Sequence, residues 1–444
     1  IYKKIESYNK SIQVIGDKSL SIRCVLLASQ AIGKSKIFNL LESEDVINSL
    51  NCIKKLGIKF KKFKNYYEIY GFGIKGFKTK KKITLNAGNS GTLARLIIGL
   101  LIDSDNQIKI IGDESLSKRD FSRVTEPIKL FGPNIISKKD KLPVKITGSK
   151  YLRPIKYKEK LGSAQCKSSV MLAALKTPGI TIINAKKSRD HTELLFKSLS
   201  LPIKIKKKFN YDYIEIKGEQ NFTGFNYNVP GDISSSSFFL VLTLLALKSR
   251  LCIRKVNINN TRTGIIKILN RMNAKILFKN KKKYKGELVA DILVSSKSNL
   301  KSINCPASLN SSAIDEFLVI FLVAARAKGV SYFRNLGELN KKESPRLDIA
   351  IKFLRKIGIK VLRKNNNVKI YGNPDLKLSG QYSMNNFRKD HRIFMMSCIA
   401  ALVFGGNWKI YDKDSINSSF PKFLNIINQL GGKINWKKEQ ELLQ

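Results

Sequence analysis

Asp17-Lys18-Ser19-Leu20-Ser21-Ile22-Arg23 is a polar tripeptide that opens directly into an apolar run, and the chain repeats this arrangement. Asn89-Ser90-Gly91-Thr92, Ser163-Ala164-Gln165, Asp232-Ile233-Ser234-Ser235, Ser311-Ser312-Ala313-Ile314-Asp315 and Asp390-His391-Arg392 follow at intervals of about 70 to 80 residues, a period that signals structural repeats. Ser, Thr, Asp and Asn ahead of an apolar stretch are helix N-cap chemistry. A helix start offers unbonded backbone N–H groups and the positive end of a dipole, so each opening is a candidate anion site. Arg23 beside Lys18, Arg95, Lys167 and Arg392 place cations close to several openings, which a cap made for stability alone would not require.

A second ladder runs half a step out of phase. Val46 to Ile58, Val124 to Ile135, Leu194 to Ile205, Ile265 to Ile276, Leu347 to Val361 and Phe423 to Ile434 each read as an amphipathic helix, a turn and the start of a β-branched strand. Gly57, Gly132, Gly358 and Gly431 stand where a helix C-cap wants a left-handed residue, and Ser200 and Asn273 take that place in the other two. The expected unit is strand, apolar core helix, strand, amphipathic surface helix, strand, strand. Six such βαβαββ units use most of the 444 residues.

A chain this long is expected to split into two domains. The longest apolar stretches, Phe238 to Leu247 and Ile393 to Phe404, are shorter than a bilayer span of about 20 residues, and Ile1-Tyr2-Lys3-Lys4 has no signal-peptide core, so a soluble cytoplasmic protein is expected. Cys24, Cys52, Cys166, Cys252, Cys305 and Cys398 are scattered, with no Cys-x-x-Cys pair, and His191 and His391 are the only imidazoles. Reduced thiols are expected, with neither a metal site nor a cofactor. Eighty-two Lys and Arg against 33 Asp and Glu give a net charge of +49, but the lysines spread along the whole chain without an aromatic RNA-binding signature. The charge reads as a solvated surface that draws in small anions, with no specific nucleic-acid partner. Gly33-Lys34-Ser35 imitates the end of a phosphate-binding loop, yet Ala28 stands where that loop needs glycine; a helix end with a solvated Lys34 is expected instead.

The openings and the segments between them resemble the 5-enolpyruvylshikimate-3-phosphate (EPSP) synthase family of enolpyruvyl transferases. Besides the first three openings, the resemblance rests on Ser188-Arg189-Asp190-His191-Thr192-Glu193, Val229-Pro230-Gly231-Asp232, Asn260-Thr261-Arg262-Thr263-Gly264 and Ile314-Asp315-Glu316-Phe317. Lys342-Glu343-Ser344-Pro345-Arg346, Asp390-His391-Arg392 and Ser419-Phe420-Pro421 complete it, in order, over nearly the whole chain. The resemblance implies a two-domain inside-out α/β barrel of six βαβαββ repeats, three per domain. Residues 1–16 with 231–444 would form a discontinuous domain, residues 17–230 an inserted one, with hinges near Gly16 and Pro230-Gly231 and the active site in the cleft between them.

It also implies a reaction between two anions. Shikimate 3-phosphate and phosphoenolpyruvate would give the enolpyruvyl ether and phosphate, on a monomeric protein. Adding an alcohol across an enol ether needs a base at the hydroxyl and an acid at the methylene carbon, followed by loss of phosphate from a tetrahedral intermediate. By motif position, the resemblance makes Asp315 the base and Glu343 the group that protonates and later deprotonates the methylene carbon, with Lys18 as a further acid. It assigns Lys18, Ser19, Arg23, Ser163, Ala164, Gln165, Asp315 and Lys342 to shikimate 3-phosphate. Lys18, Gly91, Arg119, Gln165, Arg346 and Arg392 would surround phosphoenolpyruvate. Arg suits a bidentate grip on carboxylate or phosphate, Lys a mobile point charge.

The chain departs from the family pattern at Ile15, Asp120, Asn340, Pro345 and Ser418, where Pro, Pro, Arg, Asp and, in some members, Lys are usual. Asp120 would partly neutralise Arg119, and Pro345 would restrict Ser344. Gly91 is retained, so glyphosate, the family's known inhibitor, is expected to bind. The sister UDP-N-acetylglucosamine enolpyruvyl transferases typically carry a reactive Cys in the loop matching Ser115-Leu116-Ser117-Lys118, and no Cys lies between Cys52 and Cys166. The other alternative is a basic RNA-binding protein that has lost activity.

Overall fold

The computed structural model describes residues 1–79 and 82–435. Helices and strands alternate along them, and the helices fall into two kinds as the apolar pattern requires. Helices Lys18–Gln30, Ala164–Lys176, Ile233–Leu245 and His391–Phe404 are buried along nearly their whole length, while Glu44–Lys55, Gly264–Arg271 and Arg346–Lys356 bury one face. Each surface helix ends in a left-handed residue, at φ 88° in Gly57, 120° in Gly132, 82° in Gly358 and 93° in Gly431. Ser200 at φ 55° and Asn273 at 70° accept the same conformation without glycine.

Four sheets share one design. Asn226–Asn228, Ile32–Phe38, Tyr66–Phe72 and Lys59–Lys62 lie side by side in that order, the first pair parallel and the rest antiparallel. Ile83–Asn86, Ile108–Ile111, Lys141–Thr147 and Asn134–Lys138 repeat it, as do Lys156–Glu159, Ile180–Lys186, Tyr211–Lys217 and Ile203–Lys207. In the fourth, Asn9–Ile12 runs parallel to Arg250–Asn257, beside Glu287–Ser295 and Leu277–Tyr284. The strand leading into the first core helix thus pairs with residues 250–253, and the strand leading into helix Ile233–Leu245 pairs with residues 36–38. A fifth sheet, Val330–Phe333, Asn367–Tyr371 and Val361–Lys364, has single parallel bridges at Lys301 and Asn304 in place of a full leading strand. A sixth pairs Leu378–Met384 with Gly405–Ile410.

One edge of each of the first five sheets is basic. Lys59, Lys61 and Lys62, then Lys138, then Lys204, Lys206 and Lys207, then Lys279 and residues 281–283, then Arg363 and Lys364 lie on terminal strands. Charged edge strands resist pairing with another sheet.

Two compact units emerge. One holds Ile1–Val14, Gly231–Lys282 and the chain from Val289 on; the other holds Ile15–Pro230 with the hairpin tip Lys283–Leu288. In the second unit, Gly99 lets helix Gly91–Leu100 approach helix Ala164–Lys176, since a Cβ there would stand 2.1 Å from the Ser169 carbonyl oxygen. The Gly33-Lys34-Ser35 reading needs correction. Helix Lys18–Gln30 has already ended, and these residues lie in strand Ile32–Phe38 with Lys34 exposed. No helix among the described residues is long and apolar enough to cross a membrane.

Candidate active site

In the unit built on residues 15–230, three helices begin as the cap chemistry dictates. Asp17 accepts from the Leu20 N–H at 2.9 Å, Ser90 from Leu93 at 3.2 Å and Ser163 from Cys166 at 3.3 Å. Lys18, Gly91 and Ala164 are therefore first helical residues, where backbone N–H groups remain open. The Lys18 ammonium pairs with Asp45 Oδ2 at 2.9 Å, and Asp45 is nearly buried in the first turn of helix Glu44–Lys55. Arg23 is buried and held on three sides. Its Nε donates to Thr192 Oγ1 at 2.8 Å, Nη2 to Ser168 Oγ at 3.0 Å and Nη1 to the Ser19 carbonyl at 3.0 Å. Ser168 and Thr192 bond each other at 2.7 Å, so the guanidinium ties three helices together.

Two further guanidiniums converge on Gly91. A Cβ on it would lie 2.7 Å from Arg95 Nη1 and 3.0 Å from Arg119 Nη1, so glycine leaves room that any side chain would close. Burial, then the nearby Arg119, lowers the Arg95 pKa to about 10, which still leaves it charged at neutral pH. Gln165 bridges back to this helix, accepting from Arg95 Nη1 at 3.0 Å and donating to Thr92 Oγ1 at 2.9 Å. Lys167 is not an outward cation as its spacing suggested. It is fully buried and paired with Glu193 at 2.5 Å. The Asp120 carboxylate accepts from the Ser122 N–H at 2.6 Å, where helix Ser122–Lys129 begins.

The other unit gathers the carboxylates. Arg346, essentially buried, donates from Nε and Nη2 to Asp390 at 2.9 and 3.2 Å, from Nη2 to Glu343 at 2.5 Å, and lies 3.6 Å from Asp315 Oδ1 through Nη1. Burial pushes the Asp390 carboxyl up, but the Arg346 guanidinium overrides this and holds it below the usual carboxylate range. Lys342 Nζ approaches Asp315 Oδ1 at 3.3 Å, and Arg392 Nη1 donates to the Asp315 carbonyl at 3.1 Å. Asp315, Lys342, Glu343, Arg346 and Arg392, scattered over 78 positions of sequence, are one cluster around one guanidinium.

One expectation changes in this unit. The opening Ser311 to Asp315 is no N-cap: a single turn at Asn310–Ala313 breaks, and helix Phe317–Arg326 starts after Glu316 without a side-chain cap. Asp315 is turned instead toward Lys342 and Arg346, and Glu316 accepts a hydrogen bond from Ser234. Asp232 caps its helix through the Ser234 N–H at 2.6 Å and pairs with Arg262 at 3.5 Å, a structural knot. Pro345 leaves helix Arg346–Lys356 without a cap of its own, and Asn340 supplies one: its Oδ1 accepts from Leu347 N–H at 2.9 Å and Asp348 N–H at 3.3 Å. The two departures thus compensate each other. Asn340→Ala should cost about 1 kcal/mol, read as a lowered unfolding midpoint, whereas Asn340→Asp, which keeps the acceptor, should recover most of it. Ser418 contacts His391 Nδ1 at 3.1 Å.

Five of the six cysteines are buried and all are free; burial pushes the Cys52 thiol up to about 12, far from a reactive thiolate. Sequence alone missed Asp45, Thr92, Ser168, Thr192 and Asp390 as partners of the charged groups. Thr92, Thr192 and Asp390 stand within the quoted motifs, Asp390 as a cap, whereas Asp45 and Ser168 carried no local signal.

The fold matches that of the enolpyruvyl transferase NikO from Streptomyces tendae with a TM-score of 0.77 at 14% identity, over 98% of this chain and 97% of that one. Within that fold the likeness is much closer to one family. A model of EPSP synthase (3-phosphoshikimate 1-carboxyvinyltransferase) matches residues 2–427. The 3-phosphoshikimate 1-carboxyvinyltransferase of Ruthia magnifica is 38% identical over 440 residues, 98% of each chain, and that of Bacillus cytotoxicus 34% over 431, 96% of this chain and 99% of that one. The EPSP synthase structure from Acinetobacter baumannii superposes with a TM-score of 0.86 at 32% identity, over 99% of both chains. The chain belongs to the EPSP synthase family.

Proposed function

We propose that this chain transfers the enolpyruvyl group of phosphoenolpyruvate to the 5-hydroxyl of shikimate 3-phosphate and releases phosphate. Family membership over residues 2–427 carries this reading, and the chemistry of the two clusters agrees with it. One unit offers helix N-termini with Lys18, Arg23, Arg95 and Arg119, a setting for phosphate and carboxylate. The other offers two carboxylates, Asp315 and Glu343, on a shared guanidinium, the residue type that a base and an acid need.

In the proposed sequence Asp315 takes the 5-hydroxyl proton as the oxygen attacks C2 of phosphoenolpyruvate, and Glu343 protonates C3, giving a tetrahedral intermediate. Glu343 then removes a C3 proton as the C2–O bond to phosphate breaks, with Lys18 supplying the proton to the departing phosphate. Lys18, Ser19, Arg23, Ser163, Ala164, Gln165 and Lys342 would bind shikimate 3-phosphate. Lys18, Gly91, Arg119, Gln165, Arg346 and Arg392 would hold phosphoenolpyruvate. Overcoming repulsion between two polyanions is the main work of these cations. The finer architecture we propose is six βαβαββ units, three per domain, with the substrates gripped by groups of both domains.

The test is phosphate release from phosphoenolpyruvate with shikimate 3-phosphate or UDP-N-acetylglucosamine as acceptor. Release only with the UDP-sugar would move the chain to the sister activity, and release with neither would end the enzymatic reading. Because Gly91 keeps the space beside Arg95 and Arg119 open, turnover should fall in millimolar glyphosate and recover as phosphoenolpyruvate is raised. Turnover indifferent to glyphosate would show that the pocket differs from this description.

A further inference from the structure

Arg95 has a set of partners that structural needs alone do not explain. Its guanidinium lies over the Phe121 ring, 4.9 Å from the centroid, and Nη2 donates to the Asp120 carbonyl at 3.1 Å. Nη1 donates to Gln165 Oε1 at 3.0 Å and, at 3.4 Å, to the Gly91 carbonyl. A ring face, two carbonyls and an amide oxygen take up this cation, and none of them is a carboxylate. Withdrawing a guanidinium from water with only the nearby Asp120 charge to offset it, and no carboxylate bonded to it, is costly, so the arrangement calls for a return elsewhere.

The return is the orientation of Gln165. A glutamine amide has an acceptor end and a donor end, and free rotation would show either to an incoming anion. Arginine has no acceptor, so the atom facing Arg95 can only be Oε1. Thr92 Oγ1 then takes one Nε2 hydrogen at 2.9 Å, and the other Nε2 hydrogen is the amide's remaining donor. Phe121 and the Asp120 carbonyl in turn keep Arg95 from following the substrate.

We propose that Arg95 is a positioning residue for the transfer reaction: it locks the Gln165 amide with its oxygen turned inward, so that Gln165 meets the phosphate or carboxylate of a substrate only as a hydrogen-bond donor. The inference rests on the reading of Gln165 as a substrate contact. A flipped amide would instead set an oxygen against an anion, which replaces attraction by repulsion. The cation does its work one residue back from the ligand.

Phosphate release by the parent protein with shikimate 3-phosphate and phosphoenolpyruvate tests the functional reading by itself. With that activity in hand, Arg95→Met should raise KM for phosphoenolpyruvate by about 10- to 100-fold, the worth of a charge-assisted hydrogen bond, while kcat changes less. Arg95→Lys, which keeps a cationic donor, should recover part of the loss. Arg95→Met combined with Gln165→Leu should be no more than about threefold worse than Gln165→Leu alone, because the two residues act as one. Gln165→Glu needs no change at Arg95 and must keep an oxygen toward the anion; it should raise KM about tenfold more than Gln165→Leu does. An active parent with unchanged KM in Arg95→Met, multiplicative losses in the double variant, or equal KM for Gln165→Glu and Gln165→Leu would each overturn the proposal. If Arg95→Met does not fold, the comparison of the two Gln165 variants decides alone.

Discussion

Asp315→Asn is expected to bind shikimate 3-phosphate within about tenfold of the parent affinity while phosphate release falls by about 10² to 10⁴, the range that a positioned general base supplies. Asparagine has nearly the same shape, so Lys342, 3.3 Å from Oδ1, and Arg346, 3.6 Å away, still find an oxygen there. What disappears is the capacity to accept a proton from the 5-hydroxyl. Titration calorimetry for binding and a phosphate assay for turnover separate the two quantities. A variant that turns over within tenfold of the parent would take the base role away from Asp315. A variant that no longer binds would make Asp315 a holding group first.

Arg346→Met should produce the largest loss of stability of any single change in the cluster. The guanidinium is about 1% exposed and Asp390 is fully buried, so removing the cation leaves that carboxylate charged in an apolar interior. Breaking a buried pair from one side costs about 3 to 5 kcal/mol. For a unit of this size that is roughly 6 to 20 °C of melting temperature. The pH dependence carries a sign. The Asp390 pKa is depressed in the folded protein, so its contribution is complete above the unfolded carboxylate value of about 3.9 and drains away as pH falls below it. The parent and Arg346→Met should therefore differ most near neutrality and converge in acid. Scanning calorimetry across pH 3 to 7 reads this directly, and adding Asp390→Asn to Arg346→Met should restore part of the loss, since Asn keeps an acceptor for the Arg392 N–H. Equal melting of Arg346→Met and the parent at neutral pH would contradict the buried-charge account.

Local chemistry made much of this legible in advance. Asp17, Ser90, Ser163, Asp232 and Asp390 all cap the helices that their spacing predicts, because capping involves residues two or three positions apart. The left-handed helix ends at Gly57, Ser200 and Asn273 follow for the same reason. Ser311 to Asp315 failed as a cap because distant groups win there: Lys342 and Arg346 take the Asp315 carboxylate and Arg392 takes its carbonyl. Lys167 failed likewise, since Glu193 draws it inward. Arg95 and Gln165 lie 70 positions apart, and Arg23 and Thr192 lie 169 apart. No periodicity joins such residues; only the resemblance to a family placed several of them at one site, and the partners that orient them came from the fold.

The basic edges of the sheets have a bearing on how copies of this protein behave in concentrated solution. Two edge strands pair only when their backbones come within about 4.8 Å, and that approach would bring the rows at Lys59 to Lys62, Lys204 to Lys207 or Lys279 to Lys283 against one another. At 0.15 M salt the repulsion acts over about 8 Å, just beyond the pairing distance; at 1 M it shrinks to about 3 Å, inside it. The colloidal stability of the protein is thus set by ionic strength, and an excess of +49 that resembles a nucleic-acid affinity is, along these strands, a barrier to self-templating.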